Sequence, residues 1–79
     1  LTDTITDFSK AQGDKIDAKA LLDALGWNGN INTLSQFVSV SGNTIDIHNA
    51  ADTQSVNIVV TGQTFTDLND MINKTNFQT

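Results

Sequence analysis

At 79 residues and 8.5 kDa the chain has room for one domain, residues 1–79, with a small core. It has no cysteine, which excludes disulfides, thiolate metal sites and cysteine catalysis. Nine aspartates against four lysines, with no glutamate or arginine, give a net charge of -5 and leave no basic patch for nucleic-acid phosphates or an anionic membrane.

No apolar run reaches the roughly 18 residues that a membrane span needs, so membrane insertion is not expected. The first ten residues lack the basic start and apolar stretch of a cleavable signal peptide. A start at leucine rather than methionine reads as a piece of a longer protein.

In chain order, Thr4-Ile5-Thr6-Asp7-Phe8 alternates polar and apolar residues and predicts a short strand, followed by a polar loop around Gly13. Ile16 is an apolar anchor. Asp17 is an N-cap candidate for a helix over 18–25, where Ala18, Leu21, Leu22 and Leu25 make one stripe and Gly26 stops it. Trp27 to Asn30 reads as a turn, and Ile31 to Gln36 as an irregular or one-turn helical link. Residues 37–41 and 44–48 alternate around Gly42-Asn43, a pair suited to a two-residue hairpin turn, with Val40 facing Ile45 and Val38 facing Ile47. The third strand of this meander, Ser55 to Thr61, carries Val56, Ile58 and Val60 on one face. Its register requires Ile47 opposite Val56, Asn49 paired with Gln54 and a four-residue loop between them. Thr66 or Thr64 can cap a last helix to about Lys74, striped by Leu68, Met71 and Ile72, and Phe77 closes the chain as an anchor or a short strand. The fold class is α+β: a small antiparallel sheet, made of the meander plus the N-terminal strand, packed on one face against two short helices.

Few residues point to chemistry. His48 is the single histidine, no serine has a base and an orienting acid in view, and no glycine-rich loop can cradle a phosphate. An enzyme is not expected. Trp27 reads as a core residue just past a helix end, with an exposed sugar-stacking platform as the alternative. Asp3, Asp7, Asp14 and Asp17 crowd the first part of the chain. They read either as solvated strand and turn residues, with Asp17 as a cap, or as carboxylates converging on calcium, which takes six to eight oxygens.

The segment from Asp3 to Phe8, the short loop, and then Gly13-Asp14-Lys15-Ile16-Asp17 ahead of a leucine-bearing helix resembles the closing segment of RTX proteins exported by type I secretion. The later strands, with their Ile45-Asp46-Ile47 core and final amphipathic helix, are similar to the C-terminal target domain of large RTX adhesins, so the resemblance spans the chain. Ala18 and Lys19 stand where members of the family usually carry leucine and serine, and the nonapeptide calcium repeats would lie upstream of Leu1.

The resemblance implies an uncleaved C-terminal secretion signal that also caps an upstream calcium-binding RTX β-roll in a bacterial, biofilm-type adhesin. Its partners would be an ABC exporter with its adaptor and outer-membrane channel, and the upstream repeats. The parent would be secreted or held at the bacterial cell surface. Asp3, Asp7 and Asp14 match the family's acidic positions and would contribute to a calcium site completed by those repeats. Leu68, Met71, Ile72 and Phe77 are the candidates for exporter recognition, with core packing as their other role. Two rivals remain open: an extracellular sugar- or peptide-binding β-module using Trp27, and a purely structural cap.

Overall fold

The computed structural model describes residues 2–6 and 8–79. Four strands, β1 (Thr2–Ile5), β2 (Val38–Ser41), β3 (Thr44–His48) and β4 (Ser55–Val60), form one sheet in the order β1-β4-β3-β2. Two helices, α1 (Lys19–Ala24) and α2 (Leu68–Thr75), and two 3-10 turns complete an α+β fold.

The meander has the expected register. Val38 pairs with Ile47, Val40 with Ile45, and Ile47 with Val56. Among the two turn residues only Gly42 has a positive φ, the pattern of a type II′ turn, whose twist matches that of the flanking strands. The four-residue loop after β3 is closed by one side chain. Asn49 Oδ1 accepts from the N–H groups of Thr53 and Gln54 at 2.8 and 3.1 Å, and its Nδ2 donates to Thr53 Oγ1.

The N-terminal strand departs from expectation in two ways. It covers Thr2–Ile5 rather than Thr4–Phe8, and it runs parallel to β4, with Asp3 opposite Ile58 and Ile5 opposite Val60. The sheet is therefore mixed, and only its meander is antiparallel. Polar–apolar alternation is the same in parallel and antiparallel strands, so the pattern that marks a strand carries no direction.

The core lies between one sheet face and the helices. Leu22 from α1, Met71 from α2, Leu34, and Ile45, Ile47 and Val60 from the sheet are all at most 1 % exposed. Burial of each large apolar side chain contributes about 1.5–3 kcal/mol. The opposite face carries a polar row across all four strands, Ser39-Asp46-Asn57-Thr2.

Each helix ends for a readable reason. After α1, Gly26 N–H donates to Asp23 O and Trp27 N–H to Leu22 O, a Schellman closure that turns Trp27 back onto the core. Gly26 holds φ +93°, where a side chain is strained. Asp67, rather than Thr66 or Thr64, caps α2, accepting the Asp70 N–H at 2.8 Å. Met71 and Thr75 face inward one turn apart, and the buried Thr75 hydroxyl is satisfied by Met71 O at 2.8 Å. Asn76 ends the helix in the left-handed region at φ 52°, so that Phe77 N–H reaches Ile72 O.

At Gly26 an added Cβ would meet no atom within 4 Å, so any cost of substitution is backbone strain. Gly26→Ala is expected to destabilise the domain by about 1–2 kcal/mol in urea titration. Gly26→Asn should lose about half as much, because asparagine tolerates this region as Asn76 does. Equal losses in the two variants would remove strain as the cause.

Candidate functional site

Two sets of residues were singled out from the sequence, one at each end of the chain, and the fold treats them differently. Of the acidic set, Asp3 lies exposed on the edge strand β1, and Asp7 falls outside the described residues. Asp14 has a structural task. Its Oδ2 accepts the Ser9 N–H at 2.9 Å, and Asp14 N–H donates to Ser9 O at 3.1 Å, closing the loop 9–14 around Gly13 at φ +87°. Asp17 Oδ1 accepts the Lys19 N–H at 3.1 Å, but α1 starts one residue later than expected and Ala18, which has no side-chain oxygen, takes the N-cap position. The described residues bring no three acidic or histidine side chains together as a metal group, and the third member of the expected calcium set, Asp7, is not among them.

The C-terminal set is assembled into the core. Met71 is 0 % and Phe77 6 % exposed, while Leu68 and Ile72 are half-buried and pack on the same cluster. Amphipathic spacing places these side chains on one face of α2, and the left-handed Asn76 swings Phe77 onto that face.

The tail beyond α2 is bound by its backbone. Ile16 N–H donates to Thr75 O at 3.2 Å, Gln78 N–H to Ile16 O at 2.7 Å, and Ala18 N–H to Gln78 O at 2.9 Å. This parallel bridge between Asp17 and Gln78 joins the end of the acidic motif to the end of the described chain. The sequence reading offered a short last strand at Phe77 but no partner for it, because backbone pairing over one or two residues leaves no periodic trace.

Two lysines clamp the same region. Lys10 Nζ donates to Asn73 O at 2.6 Å, on the last turn of α2, where the helix dipole favours a cation. Lys74 Nζ donates to Thr64 O at 2.7 Å and pairs with Asp70 at 3.0 Å. The Asp70–Lys74 spacing of four was the available signal for that pair. Asp70 Oδ2 also accepts the Thr66 N–H at 2.9 Å.

The remaining candidates have ordinary structural roles. Trp27 is 8 % exposed and its indole N–H donates to Thr33 Oγ1 at 3.2 Å, so its ring is not presented for stacking. His48, half-buried at the end of β3, places Nδ1 3.1 Å from Asn49 O. A shallow, open depression lined by Asp17, Lys19, Ala20 and Asp23 lies on the exposed side of α1.

Comparison with protein-family models, curated proteins and solved structures finds no match.

The Thr66 N–H, and after it Lys74, hold the Asp70 carboxyl below its ordinary value of 3.8. A lowered folded pKa contributes stability that is fully present above the unfolded value and is lost as pH falls through the folded one. The melting-temperature gap between the wild type and Asp70→Asn is therefore expected to be constant at neutral pH and to close on acidification below 3.8. A gap unchanged in acid would show that the Asp70 charge plays no part.

Proposed function

We propose that this chain is an uncleaved C-terminal secretion signal of the type I pathway, read by an ABC exporter with its adaptor and outer-membrane channel. Its second role is to cap an upstream calcium-binding RTX β-roll of a bacterial adhesin. The reading starts from the closing motif in residues 3–17 and its resemblance to RTX termini.

One structural observation carries it further. Every residue proposed for exporter recognition is committed to the folded core: Met71 and Phe77 are buried, and Leu68 and Ile72 half-buried. An exporter can grip those side chains only while the chain is unfolded. Recognition and folding then exclude each other, which suits a protein that leaves the cell unfolded and folds outside.

Calcium enters on the folded side of this balance. Asp3, Asp7 and Asp14 would supply part of a site whose remaining oxygens come from upstream repeats. Extracellular calcium modules bind with constants on the order of 10⁻⁴–10⁻³ M, so such a site is empty in the cytoplasm and filled outside. At 100-fold excess over its constant, calcium would stabilise the folded form by about 2.7 kcal/mol. The burial of Trp27 and the engagement of its indole N–H weigh against the sugar-binding alternative.

The exclusion of folding and recognition makes the test specific. Residues 1–79 are fused to the C-terminus of a slow-folding passenger in cells with a matching type I exporter, beside a natural substrate of that exporter. Passenger should appear in the medium, and deletion of 64–79 should abolish its export. Leu22→Ala removes core packing outside the tail, costing about 2–5 kcal/mol of stability, and should export at least as well as the wild type. The double substitution Ile72→Ser with Phe77→Ser should stop export. Retention of the passenger while the control leaves, or export of the 64–79 deletion, would overturn the signal assignment and favour the structural cap.

For calcium, the readout is the amide spectrum of a fragment carrying the preceding repeats. Titration should shift the amides of Asp3 and Asp14, and Asp14→Asn should weaken binding. Unmoved amides at both positions would remove these aspartates from the site.

A further inference from the structure

We propose that Asn28-Gly29 is a site of spontaneous deamidation, placed where its conversion releases the latch on Trp27. Asn28 is the one asparagine of the chain followed by glycine. Both residues are exposed, and Gly29 holds φ +84° with no Cβ to shield its amide nitrogen. No acceptor for the Gly29 N–H is found among the described residues, so the nitrogen that must act as nucleophile is not tied up.

The asparagine is held by its oxygen and not by its leaving group. Asn28 Oδ1 accepts the Asn30 N–H at 2.9 Å, with the Thr33 hydroxyl 3.3 Å away. That hydroxyl has one proton and donates it chiefly to Asn30 O at 2.8 Å, which leaves the Asn30 N–H as the firm donor to Oδ1. A donor on this oxygen stabilises the negative charge that develops there when the side-chain carbonyl is attacked.

In the reaction the Gly29 nitrogen gives its proton to solvent base and forms a bond to Asn28 Cγ. The bond from Cγ to Nδ2 breaks and ammonia leaves. Water then opens the resulting succinimide at either carbonyl, to aspartate or to isoaspartate. The sum is amide plus water to carboxylate plus ammonium, with no other reactant.

Other asparagines are protected for distinct reasons. Asn57 precedes a strand N–H, Asn69 and Asn73 lie inside α2, and the Asn49 side chain is bonded through both its oxygen and its nitrogen.

Conversion has a consequence at the core. Isoaspartate adds a methylene to the main chain between residues 28 and 29 and turns the carbonyl that carries Oδ1 into the peptide carbonyl that precedes Gly29, which moves the acceptor of the Asn30 N–H. Asn30 starts the 3-10 turn Ile31–Gln36, and that turn holds Thr33, the partner of the Trp27 indole.

The test incubates the native chain at neutral and mildly alkaline pH and follows each asparagine by peptide mass mapping with isoaspartate detection. Modification should accumulate first at Asn28, faster at the higher pH, with isoaspartate in excess of aspartate and a red shift in Trp27 emission. Asn28→Ser, which keeps an oxygen for the Asn30 N–H, should abolish both the mass change and the shift. Gly29→Ala should slow them. A parallel incubation in urea separates the fold from the local sequence. The native rate should stay within an order of magnitude of the denatured rate. A native chain protected by more than that, another asparagine converting first, or Gly29→Ala reacting as fast as the wild type would each overturn the proposal.

Discussion

The backbone pairing of Gln78 with Ile16 and Ala18 is the constraint on which the rest of the fold depends. Two hydrogen bonds of 2.7 and 2.9 Å from Gln78, and one of 3.2 Å to the last residue of α2, fasten this end to the segment that leads into α1. They hold Phe77 beside Ile16 and Ala18, and all three side chains are buried. Without this closure α1 would be a six-residue helix, too short to hold itself in water. Tertiary contact therefore makes α1, and the contact is supplied by the last residues of the chain. The Lys10 bond to Asn73 O reinforces the same junction from the loop that follows β1.

The segment after α2 ties together parts of this small domain that are distant in sequence. About 60 % burial of the unfolded surface leaves little reserve in a chain of this size. Most side chains that carry the core come from elements whose positions depend on a distant partner: Leu22 on the tail, Met71 on the sheet, Ile5 on β4. Removal of the last turn of chain then takes away Phe77, the Gln78 bridge and the support of α1 together. The local N-terminal interactions would survive such a loss, since the Asp14 loop closure spans only five residues.

Much of this was legible in the sequence, and the reason differs from element to element. The register of the meander was readable because one buried face admits one register, and Gly42-Asn43 fixes the turn. The stop of α1 at Gly26 and the inward turn of Trp27 follow from short-range chemistry. The parallel direction of β1 was not readable, because Thr2–Ile5 alternates identically either way. The choice of Asp67 over two threonines as the cap of α2 turned on which residue lay three before a free N–H, a matter of one register step. Phe77 marked a closing anchor or strand, but nothing in the spacing named Asp17 as the partner of Gln78. At the candidate site the same division holds. Apolar spacing located Leu68, Met71 and Ile72 on one surface, which Phe77 reaches only through the left-handed Asn76, whereas the grouping of carboxylates separated by a strand and a loop depends on chain reversals that spacing does not encode.

The placement of α2 gives the proposed export function a thermodynamic form. If recognition needs an exposed tail, the concentration of readable signal in the cytoplasm is the unfolded fraction, and each 1.4 kcal/mol of folding stability lowers it about tenfold. A domain at the low end of the 5–15 kcal/mol typical of native proteins would still be folded almost throughout. Under the proposed reading, export would therefore rely on slow folding, on an absent stabiliser, or on both. The second would suit the contacts of the N-terminal region. The upstream repeats and calcium would bear on β1 and the Asp14 loop, far in sequence from α2, yet the Lys10 bond and the Gln78 bridge connect that region to the tail. Ordering the N-terminal part by calcium would then draw α2 into the core through contacts already in place. One cation concentration would in this way set both when the signal can be read and when it is hidden.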